Sequence, residues 1–267
     1  MRADIGAAVR LARQRLKKDR ARLHIGTRSL ALYTRSGQQW AERDRQTIAG
    51  AGLEDACAAV RALLAAHRDI AIDVHLACRW TRLLLLPWID QLTREERWSN
   101  YARARFDQVY GEGAQAWDIR VGRDLPGRDR IAAAWPVLLQ AEFASQRQVR
   151  SARVGLLEHL GILIAQEPRF SGCLIELDSD GAGFLLLVDG QMRRVRWCRF
   201  DHDDGLVTAV RSEWATVLAG EATAPGDNVA LALTPPALEP GSRRNCTVAA
   251  LASGLGFRRA FSLPEWQ

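Results

Sequence analysis

The sequence predicts an α/β protein of two lobes, each assembled from the same run of elements, a three-stranded meander followed by a helix. Three observations predict it. A glycine corner at Gly26 returns at Gly181, 155 residues further on. A turn glycine at Gly37 returns at Gly190, 153 residues further on. Each meander then runs into a segment with helical spacing, residues 54–67 in one case and 204–218 in the other. Paired features at a nearly constant offset are what an internal duplication leaves behind.

The elements follow in order. In residues 1–22, Ile5, Val9, Ala12 and Leu16 recur at helical spacing and draw a thin apolar stripe on a basic helix. Residues 23–26 read as a strand, Gly26-Thr27-Arg28 as a corner, 29–34 as a second strand, Ser36-Gly37 as a turn, and 40–43 as the start of a third strand. Gly50-Ala51-Gly52 breaks the chain before the 54–67 helix. Ile70, Ile72, Val74, Leu76 and Cys78 alternate as one face of a strand, and 82–86 form another that runs into Pro87-Trp88. Thr93 and Glu96 make a capping box for a helix to Tyr110, which Gly111 ends. Strands at 116–121 and 130–135 follow, and Pro136 opens a helix to about Ser145. After apolar segments at 149–154 and 156–164, the second meander takes 173–178, 183–188 and 192–200, with Asp189-Gly190 as a hairpin turn. The tail adds a strand at 229–233 and a short helix near 247–252. The expected division is a basic arm at 1–22, a first lobe at 23–160 with an inserted subdomain at about 74–150, and a second lobe at 161–267.

Composition excludes several classes. Apolar residues make 48% and charged residues 25% of the 267, ordinary globular usage. The longest apolar runs, 83–89 and 183–188, fall far short of the roughly 20 residues of a membrane helix, and no secretory leader is recognisable. The five cysteines are odd in number and form no CxxC, so reduced thiols are expected and no metal. Residues 1–22 hold eight basic and two acidic groups, which equals the whole net charge of +6. Such an arm suits an anionic membrane surface or an acidic partner, and without a recognition motif no specific nucleic acid is expected. Lys17 and Lys18 are the only lysines, and no GxxxxGK[ST] loop exists. Glu158-His159 lacks the second histidine of a zincin and reads as a solvent-facing or satisfied core position. Asp203 or Asp204 in Asp201-His202-Asp203-Asp204 reads as a helix N-cap.

The central segment carries a resemblance. Arg82-Leu83-Leu84-Leu85-Leu86-Pro87-Trp88, Tyr101-Ala102-Arg103-Ala104-Arg105-Phe106 and Val109-Tyr110-Gly111 resemble PilM and the cytoplasmic part of GspL, assembly-platform proteins of type IV pili and type II secretion. The doubled glycine-cornered meander is similar to the actin-like (ribonuclease H-like) ATPase superfamily. That resemblance implies a duplicated two-lobe fold with a small inserted subdomain, each corner wrapping a nucleotide phosphate between the lobes. The candidate nucleotide residues are then Gly26, Thr27, Arg28, Asp178, Asp180 and Gly181. In the family an Asp two residues before the first corner glycine helps hold the metal; here that position is His24, which does not replace a carboxylate on magnesium. The second corner keeps acid and glycine. The expectation is therefore a vestigial cleft with no cofactor required, in a non-catalytic scaffold that is cytoplasmic and peripheral at the inner membrane. The resemblance implies as partners the cytoplasmic tail of an inner-membrane assembly protein and a secretion or pilus ATPase. Trp88 and Trp98, near the central block, are the candidate partner contacts. The alternative is a nucleotide-dependent enzyme of the same fold, an ATPase or small-molecule kinase.

Overall fold

A computed structural model describes residues 20–36, 39–50, 52–122, 126–177, 181–199, 212, 215, 219, 228–233 and 259–262. Three sheets organise them. The first contains β1 (Arg20–Ile25), β2 (Ser29–Ser36), β3 (Gln39–Thr47), β4 (Ala71–Leu76) and β8 (Val149–Val154), in the order β3-β2-β1-β4-β8. The second contains β9 (Gly172–Leu177), β10 (Gly181–Val188), β11 (Gln191–Arg199), β12 (Asn228–Leu233) and β13 (Arg259–Ser262), in the order β11-β10-β9-β12-β13. Both sheets pair their meander antiparallel and add their fourth and fifth strands parallel. One strand order is thus used twice, as the offsets predicted.

The third sheet, order β5-β7-β6, is an antiparallel insertion made of β5 (Arg82–Leu86), β6 (Trp117–Val121) and β7 (Arg130–Pro136). It follows β4, and the chain returns through α3 (Val137–Ala144) to β8 of the first sheet. Helix α2 (Glu95–Tyr110) covers it, burying Trp98, Ala102 and Phe106 against Leu86, Ala132 and Ala134. Alanines on the central strand leave room for the two large rings.

Alternation explains the first core. Leu23 and Ile25 of β1 and Ile72, Val74 and Leu76 of β4 meet Val60, Leu63 and Leu64 of α1 (Leu53–Ala66). Helix α4 (Gly155–Gln166) contributes Leu156 and Leu163 to a separate core with Leu174, Leu185 and Leu187 of the second sheet. It therefore follows the last strand of one sheet and packs with the other. At Gly183 the second sheet passes so close to the first lobe's Cys78 that a Cβ would lie 2.3 Å from its Sγ. Asp189 and Gly190 both have positive φ, 51° and 71°, the geometry that an Asp-Gly hairpin turn requires.

Several expectations need correction. β1 begins at Arg20, inside the stretch taken as the arm; the rest of the arm, residues 1–19, lies outside the described residues. The Thr93–Glu96 capping box does not form. The helix starts at Glu95 with Arg94 at its N-cap and no side-chain cap, so Thr93 and Glu96 do not stand at the N-cap and N3 positions that the box requires; Glu95 instead meets Arg130 at 3.2 Å. β10 begins at Gly181 rather than Gly183. β13 was not expected. The 204–218 and 247–252 helices fall largely outside the described residues.

Candidate functional site

The first corner is held by backbone bonds. The Gly26 N–H donates to the Ser29 carbonyl at 3.0 Å, and the Trp80 indole N–H donates to the Gly26 carbonyl at 2.8 Å. The Ile48 N–H donates to the Arg28 carbonyl at 2.9 Å. Gly26 and Thr27 are buried, and only Arg28 is exposed. Of the second corner, Asp178 and Asp180 lie outside the described residues, while Gly181 opens β10 opposite Arg199.

β1, which leads into the first corner, and its neighbour β4 present a buried cluster on the face away from the first core. β1 and β4 run parallel with His24 opposite His75. Since neighbouring side chains point to opposite faces, the alternation that sends Leu23, Ile25, Val74 and Leu76 into the first core turns both histidines away from it. There α4 meets them. His75 Nδ1 is 2.8 Å from Glu158 Oε2, and His159 Nδ1 is 3.0 Å from Glu176 Oε2 on β9. Consecutive residues of one helix thus hold one side chain from each sheet.

Electrostatics decide the protonation of His24. Burial, then the charges of His75, His159 and Arg45, lower its pKa from 6.5 to about 3. It is a neutral imidazole near neutrality, and its Nε2 has no hydrogen-bond partner. Burial alone would raise the Glu158 carboxyl; the hydrogen bond and charge of His75, with Arg22 and Arg153, carry it below the usual value. These residues do not fit magnesium, which takes oxygen ligands in near-octahedral geometry. His24 offers an uncharged nitrogen rather than an oxygen, and Glu158 and Glu176 are each engaged by a histidine. Among the described residues no group of three or more His, Cys, Asp or Glu is arranged to hold a metal ion.

A groove runs between the insertion and the first sheet. β6 is one outer strand of the insertion and β8 one outer strand of the first sheet, so among the described residues each leaves one backbone edge without a neighbouring strand in its sheet. Between them lie two adjoining hollows of about 340 and 400 Å³, which share Arg120 and Trp135. One is floored by Phe143 and walled by residues 149–152, the other by Ile131, Val154 and Leu157. Arg150 and Arg153 add positive charge along β8, with Arg153 3.5 Å from Glu158.

The two candidate tryptophans lie elsewhere. Trp98, expected as a partner contact, is instead 0% exposed in the insertion's core, away from the surface; the Arg130 guanidinium sits 4.6 Å from its ring and 5.7 Å from that of Trp88. Trp88 is half-buried, 5.6 Å from Trp98, with its indole N–H donating to Asp90. Sequence reasoning did not single out His75 or Glu176. The available signal was polar residues at the off-core positions of strands that are covered on both faces.

The class of fold is actin-like, two copies of one strand order with an insertion in the first. No protein-family model matches the chain, and no curated protein matches it. Among solved structures, the chain is similar to a Bacteroides thetaiotaomicron protein with an actin-like ATPase fold and unknown function, at TM-score 0.60 and 9% identity over 95% of this chain and 94% of that one. It is similar to a chain of the PilM–PilN type IV pilus biogenesis complex, at TM-score 0.60 and 14% identity over 91% and 87%. The cytoplasmic domain of EpsL, an inner-membrane component of the Vibrio cholerae type II secretion system, superposes at TM-score 0.49 and 11% identity over 80% of each chain. No helix among the described residues is long and apolar enough to cross a membrane.

Proposed function

We propose that this protein is a non-catalytic scaffold of an inner-membrane assembly platform of the type IV pilus or type II secretion kind, and that it binds the cytoplasmic tail of a membrane partner. The observation that carries the reading is the groove between β6 and β8. An extended segment lying there has a sheet edge on either side for its backbone and apolar floor for alternate side chains. The similarity in fold to a chain of the PilM–PilN complex supports the same reading. The cleft between the lobes serves as a structural joint, with Glu158 and Glu176 paired to His75 and His159, and needs no nucleotide.

The test uses the whole chain and synthetic peptides copying the cytoplasmic tail of a single-pass membrane protein encoded beside it. Calorimetry should detect saturable binding, lost in Ala144→Trp, which fills one hollow from an exposed position, and weakened in Arg150→Glu. Binding that both variants leave intact overturns the groove assignment. A second reading, a nucleotide-dependent enzyme, is favoured by the acid and glycine kept at Asp178, Asp180 and Gly181. ATP turnover with magnesium that disappears in Asp178→Ala would establish it in place of the scaffold.

A further inference from the structure

A second cavity, of about 350 Å³, lies on a different side of the insertion. β5 lines one wall, the exposed end of α2 another, and β11 of the second sheet a third. Its body is apolar, with Leu83, Leu84, Leu156 and Val195 among the lining residues. Its lip is unusual: Val109 and Tyr110, 50% and 39% exposed, are two of the few large apolar side chains left open among the described residues.

Within this apolar setting stands a guanidinium with no acid beside it. Arg82 is half-buried, 5.1 Å from the Trp117 ring and 5.6 Å from that of Trp197. It donates to the carbonyls of Thr81 at 2.9 Å and Arg79 at 3.2 Å. Both bonds use Nη1; no bond uses Nη2 or Nε, and no carboxylate stands within ion-pair distance among the described residues. Burial and the charge of Arg79 depress its pKa, while Tyr110 acts the other way. A partly desolvated cation without a counter-ion is costly, and a carboxylate taking Nη2 and Nε together offsets that cost in the geometry that arginine favours. Arg196 adds a second positive charge at the opening.

We infer that this cavity is a docking site, separate from the β6–β8 groove, for a partner polypeptide segment in which an acidic residue is flanked by apolar ones. The apolar neighbours cover Val109, Tyr110 and the leucine floor while the carboxylate pairs with Arg82. A polypeptide is favoured over a small acid because Val109 and Tyr110 carry the cavity's apolar lining out to its open lip, which a small acid paired with Arg82 would leave uncovered.

The test measures fluorescence anisotropy of a labelled Leu-Leu-Glu-Phe-Leu peptide with the full chain. Replacing the peptide's Glu by Gln should weaken binding about tenfold, Arg82→Gln should weaken it by a similar factor, and the two together should cost no more than either alone. Should Arg82→Gln fail to fold, Val109→Glu at the exposed lip sets a like charge against the peptide and should weaken binding comparably. Equal affinity for the Glu and Gln peptides, or displacement of the label by octanoate as effectively as by unlabelled peptide, overturns the inference. Ala144→Trp should leave this binding unchanged, so failure here and failure of the tail-binding groove are told apart.

Discussion

His159 Nδ1 lies 3.0 Å from Glu176 Oε2, and this pair ties α4 to the first strand of the second sheet with both residues buried, at 4% and 1% exposure. Removing one member strands the other. His159→Ala leaves a buried carboxylate without its partner and should cost about 3–5 kcal/mol, while the double change His159→Leu with Glu176→Leu should recover much of that loss. Urea unfolding of the three proteins checks it; equal losses in the single and double variants would contradict the pairing.

Acid should destabilise the fold through His24. Its folded pKa of about 3 lies below the unfolded value of 6.5, so between those values the unfolded chain binds a proton that the folded chain refuses. The stability held above pH 6.5 is therefore lost as pH falls toward 3, at about 1.4 kcal/mol per pH unit for one proton. His24→Gln should flatten the unfolding free energy, taken from urea titrations at a series of pH values, by that slope. An unchanged slope sinks the assignment.

Trp98 and Trp88 should separate under substitution. Trp98→Ala opens a cavity beneath α2 and should cost about 3–5 kcal/mol. Trp88→Ala, at a half-buried position, should cost clearly less. Comparable losses, measured by thermal unfolding, would place Trp88 in the core as well.

Gly183→Ala should be destabilising by about 1–3 kcal/mol, because its Cβ would meet the Cys78 Sγ at 2.3 Å and Leu156 Cδ2 at 3.0 Å. Cys78→Ala in the same chain should relieve part of the cost, and a double-mutant cycle reads the coupling directly.

The duplication was legible in the sequence because glycine corners and turns are local, and Asp189-Gly190 carries its turn geometry in two residues. The start of α2 was not, because Thr93 and Glu96 carry the capping pattern while the helix begins two residues later, at Glu95, with Arg94 at its N-cap. β13 escaped because Arg259–Ser262 is too short to alternate visibly. In the candidate site, His24 could be read from its distance to Gly26. Glu158-His159 could be read only as two polar residues in an apolar run. Their partners come from β4 and β9, and strand register, which brings His75 beside His24, is invisible before the sheet exists.

Glu158 is placed where two parts of the molecule meet. Its side chain faces Arg153 beside the β6–β8 groove and His75 inside the joint, so a single carboxylate bridges the two regions. A ligand that drew Arg153 away from Glu158 would leave His75 as that carboxylate's remaining ion-pair contact among the described residues.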